Sequence, residues 1–347
     1  MSGVARTFAL TTPQLPRPLQ ALFANAYLLC RINDTIEDDP ELSIEQKDFF
    51  AGRFVSIVTE QTDDEWFASE LSDLLSESML DSEKELVACT SAVIRIKRQF
   101  SPEQQAILER CVSIMSRGMV EFQRNATVEG LADISSYNRY CYSVAGIVGE
   151  TLTELMCDHS DEIHRNREQL LPLGLSFGLG LQMVNILKDI WEDRSRSVCW
   201  LPRDLFLAHG VDLQNLDNRD SQVHQGFADG MSQLIALSNW HLLNAQHYIQ
   251  LIPSHQAGYR RYCLWAAGMA IATLRKIYAQ PDFTSGEQVK ISRSTVRTII
   301  VLTSVFSRFN GMLEMIFNYL RRDLPIAEPE GGLSSIAGLS RYRQDFE

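Results

Sequence analysis

The chain has 347 residues, 45% of them apolar and 22% charged, a composition that suits a globular protein and excludes a disordered one. Its 32 Lys and Arg against 44 Asp and Glu leave a formal net charge of −12, which argues against a general nucleic-acid binder with a basic footprint. Seven Cys with no CxxC pair, most of them in apolar runs like that around Cys30, read as free buried thiols of a reducing compartment.

The first ten residues lack the apolar stretch of a signal peptide. From Leu19 to about Asp39 the chain is apolar and free of Gly and Pro, so a helix is predicted there, stopped by Pro40. Further helices are expected over 44–60, 65–80 and 83–98. Ser101 and Pro102 open another, as cap and first-turn proline. Helical patterns then cover 134–157, 166–193, 222–250, 258–279 and 294–322. The dipeptides Asp229-Gly230 and Asn310-Gly311 lie inside these patterns and lack flanking strand runs. Leu170 to Leu187 carries no charge and is long enough to be weighed as a membrane span. Pro172, three Gly, Gln182 and Asn185 make a buried core helix the better reading. No transmembrane segment is expected, and a peripheral membrane contact stays open. The segment 325–347, rich in Gly, Ser and Pro, reads as a loose tail. The expectation is one all-α domain over 1–324.

Two acidic patterns carry chemistry. Asp34, Glu37 and Asp38 share one helical face at the end of the first apolar helix, while Asp39 points elsewhere. Like charges repel there and oppose the helix dipole, a cost that a divalent cation would remove. Asn185, Asp189 and Asp193 fall at i, i+4 and i+8 at the end of the long uncharged helix, with Gln182 one turn earlier. For either cluster alone, a solvated acidic helix end is the plain alternative. If the two helices face each other across a cavity, five or six oxygen ligands look inward, a set that suits Mg²⁺ on a diphosphate. Zinc is disfavoured, since neither HExxH nor CxxC occurs.

The chain resembles the squalene/phytoene synthases, the head-to-head prenyltransferases. The likeness runs from Ala5 to about Arg293 through Arg6-Thr7-Phe8, YLLCRINDTIEDD (27–39), GMVEF (118–122), YCYSVAGIVG (140–149) and LQMVNILKDIWED (181–193). AIATL (270–274) and Val289-Lys290-Ile291 lean toward the squalene synthases. The resemblance implies a single-domain, isoprenoid-synthase-type helical fold with a central cavity, cytoplasmic or peripheral to a membrane, of unknown oligomeric state. It implies two molecules of farnesyl diphosphate as substrate, Mg²⁺ on Asp34, Glu37, Asp38, Asn185, Asp189 and Asp193, and phosphate contacts from Arg6, Thr7 and Arg31. Arg31 also suits an ion pair with Asp34. Tyr140 matches a tyrosine proposed to assist proton removal, and Tyr27 a cavity tyrosine; Gln182 and Asn185 line the substrate side. A packed core tyrosine is the alternative for Tyr140. Gly146 and Gly149 read as packing residues.

NADPH is the implied reductant, with Arg6, Arg31, Lys188, Lys290 and Arg293 as candidate contacts. No Rossmann glycine motif supports it: Gly178 and Gly180 lie within a helix, with Met183 where a third Gly would stand. Departures from the family pattern touch this part most. Lys188 stands where Arg is common, Arg293 lies one residue past the usual basic position, and Val198 replaces an Arg for which Arg194 or Arg196 could substitute. Ala5 stands where Ser is usual. The expected reaction joins two farnesyl diphosphates into presqualene diphosphate and reduces this to squalene. Three other readings stay open: a dehydrosqualene, phytoene or presqualene diphosphate synthase of the same family, a non-catalytic isoprenoid-diphosphate binder, and a structural helical module.

Overall fold

In the computed structural model, which describes residues 10–62, 65–216 and 221–340, no strand forms among the described residues. They fall into two compact units. One comprises the described residues up to Asn125 together with Thr151–His164; the other comprises Ala126–Glu150 and Arg165 onward. The all-α fold expected from the periodicity is the fold observed.

In the first unit, α1 spans Arg17–Asp38, α2 Ile44–Val58, α3 Phe67–Ser72, α4 Asp81–Ala88, α5 Thr90–Lys97 and α6 Pro102–Arg124. α1 buries Leu19, Leu22, Phe23, Ala26, Leu29, Ile32 and Ile36, a stripe at intervals of three and four residues that presents one face to the core. Each such aliphatic or aromatic side chain contributes about 1.5–3 kcal/mol on full burial. Pro40 stops α1 and holds the preceding Asp39 extended (φ −64°, ψ 122°). The Asp39 carboxylate is thereby turned off the acidic face. It accepts hydrogen bonds from the backbone N–H of Glu41 (2.8 Å), Leu42 (3.2 Å) and Ser76 (2.8 Å). α6 opens with Ser101 and Gln104 capping one another reciprocally at 3.2 Å.

Two predicted helices are corrected in this unit. The pattern over 65–80 is helical only at α3, because Asp39 and Glu41 take the Ser76 N–H and hydroxyl and fix a turn there. The pattern over 83–98 breaks at Cys89, which sits at φ −90°, ψ 9°, between α4 and α5. Cys89 is also exposed, unlike the buried thiols expected; five of the seven free cysteines are buried.

α7 (Ile134–Cys141), a wider π turn over Tyr142–Gly146 and α8 (Ile147–His159) follow, the division between units falling inside α8. The first unit is completed by the short α9 (Asp161–His164). The second unit is built on α10 (Arg167–Ser195), α11 (Arg203–Ala208), α12 (Ser221–Leu251) and α13 (Ala257–Ala279). α10 is the one helix among the described residues long and apolar enough to cross a membrane, and 72% of its apolar window is buried inside the protein. Its glycines explain why it is so deeply packed. A Cβ on Gly178 would stand 2.2 Å from the Ala145 carbonyl oxygen, and one on Gly149 would stand 2.1 Å from that of Gly174. The glycines of AGIVG thus admit a backbone-to-backbone approach, as the packing reading expected.

The helix expected over 294–322 is two helices, α14 (Arg293–Val305) and α15 (Asn310–Arg321). The bend is held by Arg260, a fully buried side chain. Its guanidinium donates to the carbonyls of Ile252 (2.8 Å), Gln250 (3.1 Å) and Ser307 (2.9 Å) and to Asn310 Oδ1 (2.7 Å). Asn310-Gly311 therefore marks a real break, which the helical pattern on both sides hid. Within 325–347, expected as a loose tail, α16 spans Gly332–Leu339 and buries Ile336 and Leu339. Upstream of it, the chain is tied to α12 by Asn239 donating to the Pro325 carbonyl (2.9 Å).

Candidate active site

The last turns of α1 carry the first acidic face. Tyr27, Arg31, Asp34, Glu37 and Asp38 all lie on this helix. Arg31 donates to Asp34 at 3.2 Å and is ion-paired to Glu83 of α4, a buried carboxylate that the sequence reading did not single out. The ion pair with Asp34 is thus present, and Arg31 bridges two acids. Glu37 accepts a hydrogen bond from Gln123 Nε2 at 3.1 Å, and its backbone carbonyl is capped by Lys47. Burial drives Asp34 up to about 7, with Arg31 opposing and Asp38 adding to the rise. Burial, then Asp38, drives Glu37 up to about 8. The Tyr27 phenol is pushed up to about 12, again by burial first. Arg6 and Thr7 lie outside the described residues.

The second acidic face closes α10. Asn185 is exposed, Asp189 and Gln182 are half-buried and Asp193 is buried. Lys188 Nζ lies 3.0 Å from Asp189 Oδ2, and Arg196 donates to Asp193 Oδ1 at 3.0 Å. Burial raises the Asp189 carboxyl despite Lys188. Arg194 turns the other way and donates to the Leu213 carbonyl at 2.7 Å. The turn Gly286–Val289 is pinned onto this helix end: the Gly286 N–H donates to Glu192 Oε1 at 2.9 Å. The Trp191 indole N–H donates to the Phe283 carbonyl at 2.7 Å. Lys290 ends this turn, and Arg293 is the first residue of α14. Both are exposed, and Lys290 is paired with Glu287 at 2.5 Å.

Tyr140, on α7, is buried and stacked on Trp200, with ring centroids 4.2 Å apart and planes 14° apart. Trp200 was not a sequence candidate; its only signal was its place just after the second acidic motif. Of the expected metal ligands, three lie in one unit and three in the other. Among the described residues no three His, Cys, Asp or Glu side chains converge closely enough to hold a metal ion by themselves. The donor chemistry nevertheless fits a hard divalent cation. Every candidate is an oxygen ligand, and the raised carboxyls of Asp34, Glu37 and Asp189 are groups whose charge is under-compensated as they stand.

The same fold occurs in solved squalene synthase structures. A complex of TcSQS with the ligand BPH1237 superposes with a TM-score of 0.74 at 20% identity, covering 99% of this chain and 96% of that one. A dehydrosqualene synthase bound to a ligand gives 0.54 at 18% identity, over 91% and 92% of the two chains. A family model described as squalene/phytoene synthase matches residues 1–295. The squalene synthase of Gibberella zeae is 26% identical over 319 residues, 88% of this chain and 64% of that protein. That of Saccharomyces cerevisiae is 26% identical over 327 residues, 92% of this chain and 68% of that protein. The chain belongs to the squalene/phytoene synthase family. It spans about two thirds of the length of these curated relatives.

Proposed function

We propose that this chain is a squalene synthase, joining two farnesyl diphosphates head to head and reducing the product to squalene. The observation that carries the reading is the end of α1, where Arg31 is shared by Asp34 and Glu83 while Asp34 and Glu37 sit in a setting that disfavours their charge. Such an end is suited to a cation-bearing diphosphate and gains little from solvent alone. The similarity to the squalene synthases of Gibberella zeae and Saccharomyces cerevisiae and the family match support the same activity.

In this reading Asp34, Glu37 and Asp38, and separately Asn185, Asp189 and Asp193, hold Mg²⁺, which when bound supplies the positive charge that helps diphosphate depart. Arg31 neutralises phosphate oxygens, with Arg6 and Thr7 assigned beside it. Gln182 lines the substrate side. Loss of diphosphate leaves an allylic cation, which the double bond of the second substrate attacks; a proton is then lost as the cyclopropane closes. Tyr140 is assigned to that proton. A phenol titrating near 10 is a weak base alone, so the departing diphosphate is the final acceptor. The stacked faces of Tyr140 and Trp200, and that of Tyr27, attract positive charge at about 0.5–2 kcal/mol per ring. NADPH, when bound, supplies hydride for the second half. Lys188, Lys290 and Arg293 are assigned as its phosphate contacts, all three exposed or half-buried. The seven free thiols suit a reducing, cytoplasmic setting.

Incubation with farnesyl diphosphate and Mg²⁺, with and without NADPH, tests this by mass spectrometry of the lipid extract. Squalene only with NADPH, and presqualene diphosphate without it, is the expected result. Dehydrosqualene, phytoene or presqualene diphosphate in both arms assigns a non-reducing member of the family. No release of diphosphate in either arm overturns the catalytic reading.

A further inference from the structure

α14 and α15 each carry two apolar faces. The inward one holds Ile299 on α14 and Leu313 and Phe317 on α15, all buried. The outward one has no covering element among the described residues. On α14 it consists of Val301, Leu302 and Val305, the last 62% exposed. Past the Arg260-held bend it continues through Phe309, Met312, Met315 (66% exposed) and Tyr319. At 100° per residue, 301 and 305 fall within 40° of each other and at least 120° round the helix from 299, with 302 on the flank between, and 312, 315 and 319 fall within 60° of one another and at least 100° from 313 and 317. Exposed apolar faces of this kind on two successive helices mark an interaction site.

Charge decides what covers it. Between Lys290 and Asp323 there are six basic residues and two acidic ones, a local net charge of +4 in a chain of −12. The exposed arginines bracket the apolar stretch: Arg297 precedes it, Arg308 sits at the bend, and Arg322 ends it with its guanidinium 4.7 Å over the Tyr319 ring. A second copy presenting the same face would set these cations against their own kind, so self-association is disfavoured. An apolar strip of aliphatic, Phe and Met side chains, with arginines at its ends and a tyrosine at its edge, is the composition of a surface lying in a bilayer interface.

We propose that the exposed apolar faces of α14 and α15 dock the protein on an anionic phospholipid bilayer. Val305, Phe309 and Met315 enter the boundary between headgroups and acyl chains, and Arg297, Arg308 and Arg322 engage lipid phosphates. The proposal uses none of the residues assigned to catalysis and stands whether or not the chain makes squalene.

The test is flotation of the full chain with vesicles of phosphatidylcholine alone or with a third phosphatidylglycerol. It compares wild type, a Val305→Asp/Phe309→Asp/Met315→Asp variant and an Arg297→Gln/Arg308→Gln variant. All carry their changes on exposed positions, and circular dichroism checks their folding. The wild type is expected to float with anionic vesicles and to be released by salt. The triple variant is expected to lose at least tenfold in apparent affinity, and the arginine variant to lose its preference for anionic over neutral vesicles. Turnover of detergent-dispersed farnesyl diphosphate is expected to be unchanged in both. Wild type that stays unbound, or a triple variant that floats equally, overturns the proposal. Wild type that ignores vesicles but elutes as a dimer, which the triple variant converts to monomer, overturns it in favour of a second copy as occupant.

Discussion

At the end of α1 the guanidinium of Arg31 serves two carboxylates, Asp34 and Glu83, while the Glu37 side chain takes the amide hydrogen of Gln123. At the end of α10 each aspartate has a cation of its own, Lys188 for Asp189 and Arg196 for Asp193. Two helix ends with the same oxygen-rich pattern are therefore balanced differently. The first stores under-compensated charge and gains from an added cation. At the second the aspartates are paired with the chain's own side chains, which must yield before they can meet a phosphate or release their aspartates, although burial still raises Asp189.

The largest expected effect separates these cases by activity and stability together. Asp34→Asn and Asp189→Asn should each lower turnover of farnesyl diphosphate about 10³-fold, the equivalent of several kcal/mol of charge stabilisation in the transition state. Their metal-free stabilities should diverge. Asp34→Asn removes a disfavoured carboxylate, and with 27% of that side chain still exposed the gain is about 1–2 kcal/mol near pH 8. Asp189→Asn also removes a carboxylate raised by burial but leaves the half-exposed Lys188 without its partner, and should gain less. Melting of both variants in EDTA checks this. Equal shifts would break the comparison, and wild-type turnover in either variant would end the metal assignment.

The pattern of both faces was legible in the sequence because helical spacing alone sets which side chains share a side. Asp39 could be set apart for the same reason, although the stop at Pro40 and the three N–H donors that hold it became visible only in the fold. Glu83 and Gln123 were invisible, since they reach α1 from 52 and 86 residues away and no local periodicity encodes such a contact. Arg260 illustrates the same limit for the fold. The apolar pattern of 294–322 continues through the bend, and the break is imposed by four acceptors gathered around a buried guanidinium from elsewhere in the chain. Gly149 was read correctly as a packing residue because a Gly on a buried helix face has few other uses, yet its partner, the Gly174 carbonyl, could not be named.

The two regions should also answer acid in opposite senses. Asp34 and Glu37 are raised in the folded protein, so their contribution to stability is full below about pH 4 and is lost as pH rises through about 7 and 8. The second unit instead buries His241, whose Nδ1 meets Ser176 Oγ at 2.8 Å beneath the α10 face. Burial lowers this histidine to about 3. Its contribution is full above its ordinary value near 6.5 and is lost as pH falls toward 3. Linkage puts the loss from pH 7 to pH 5 at about 2 kcal/mol. Four of the five tryptophans, including Trp240 at 4.9 Å from the His241 ring, lie in the second unit, so tryptophan fluorescence follows its unfolding by urea. His241→Asn should flatten that acid dependence by about the same amount. An unchanged pH profile would mean that the imidazole titrates as in solution.

The smallest expected effect concerns the cations that the second face keeps for itself. Lys290 stands at the end of the turn that Glu192 pins to α10, paired with the exposed Glu287 in the same turn. A charge-assisted hydrogen bond to a phosphate contributes about 1.5–3 kcal/mol, so Lys290→Gln should raise the KM for NADPH about tenfold or more. Formation of presqualene diphosphate without NADPH should be untouched. Arg31→Gln, at the first face, should do the reverse and depress that first half-reaction while sparing the nucleotide KM of whatever activity survives. If both variants impair the first half-reaction alike, the division of labour between the two helix ends is wrong. Lys290 would then belong with the substrate diphosphates, leaving Lys188 and Arg293 as the nucleotide contacts.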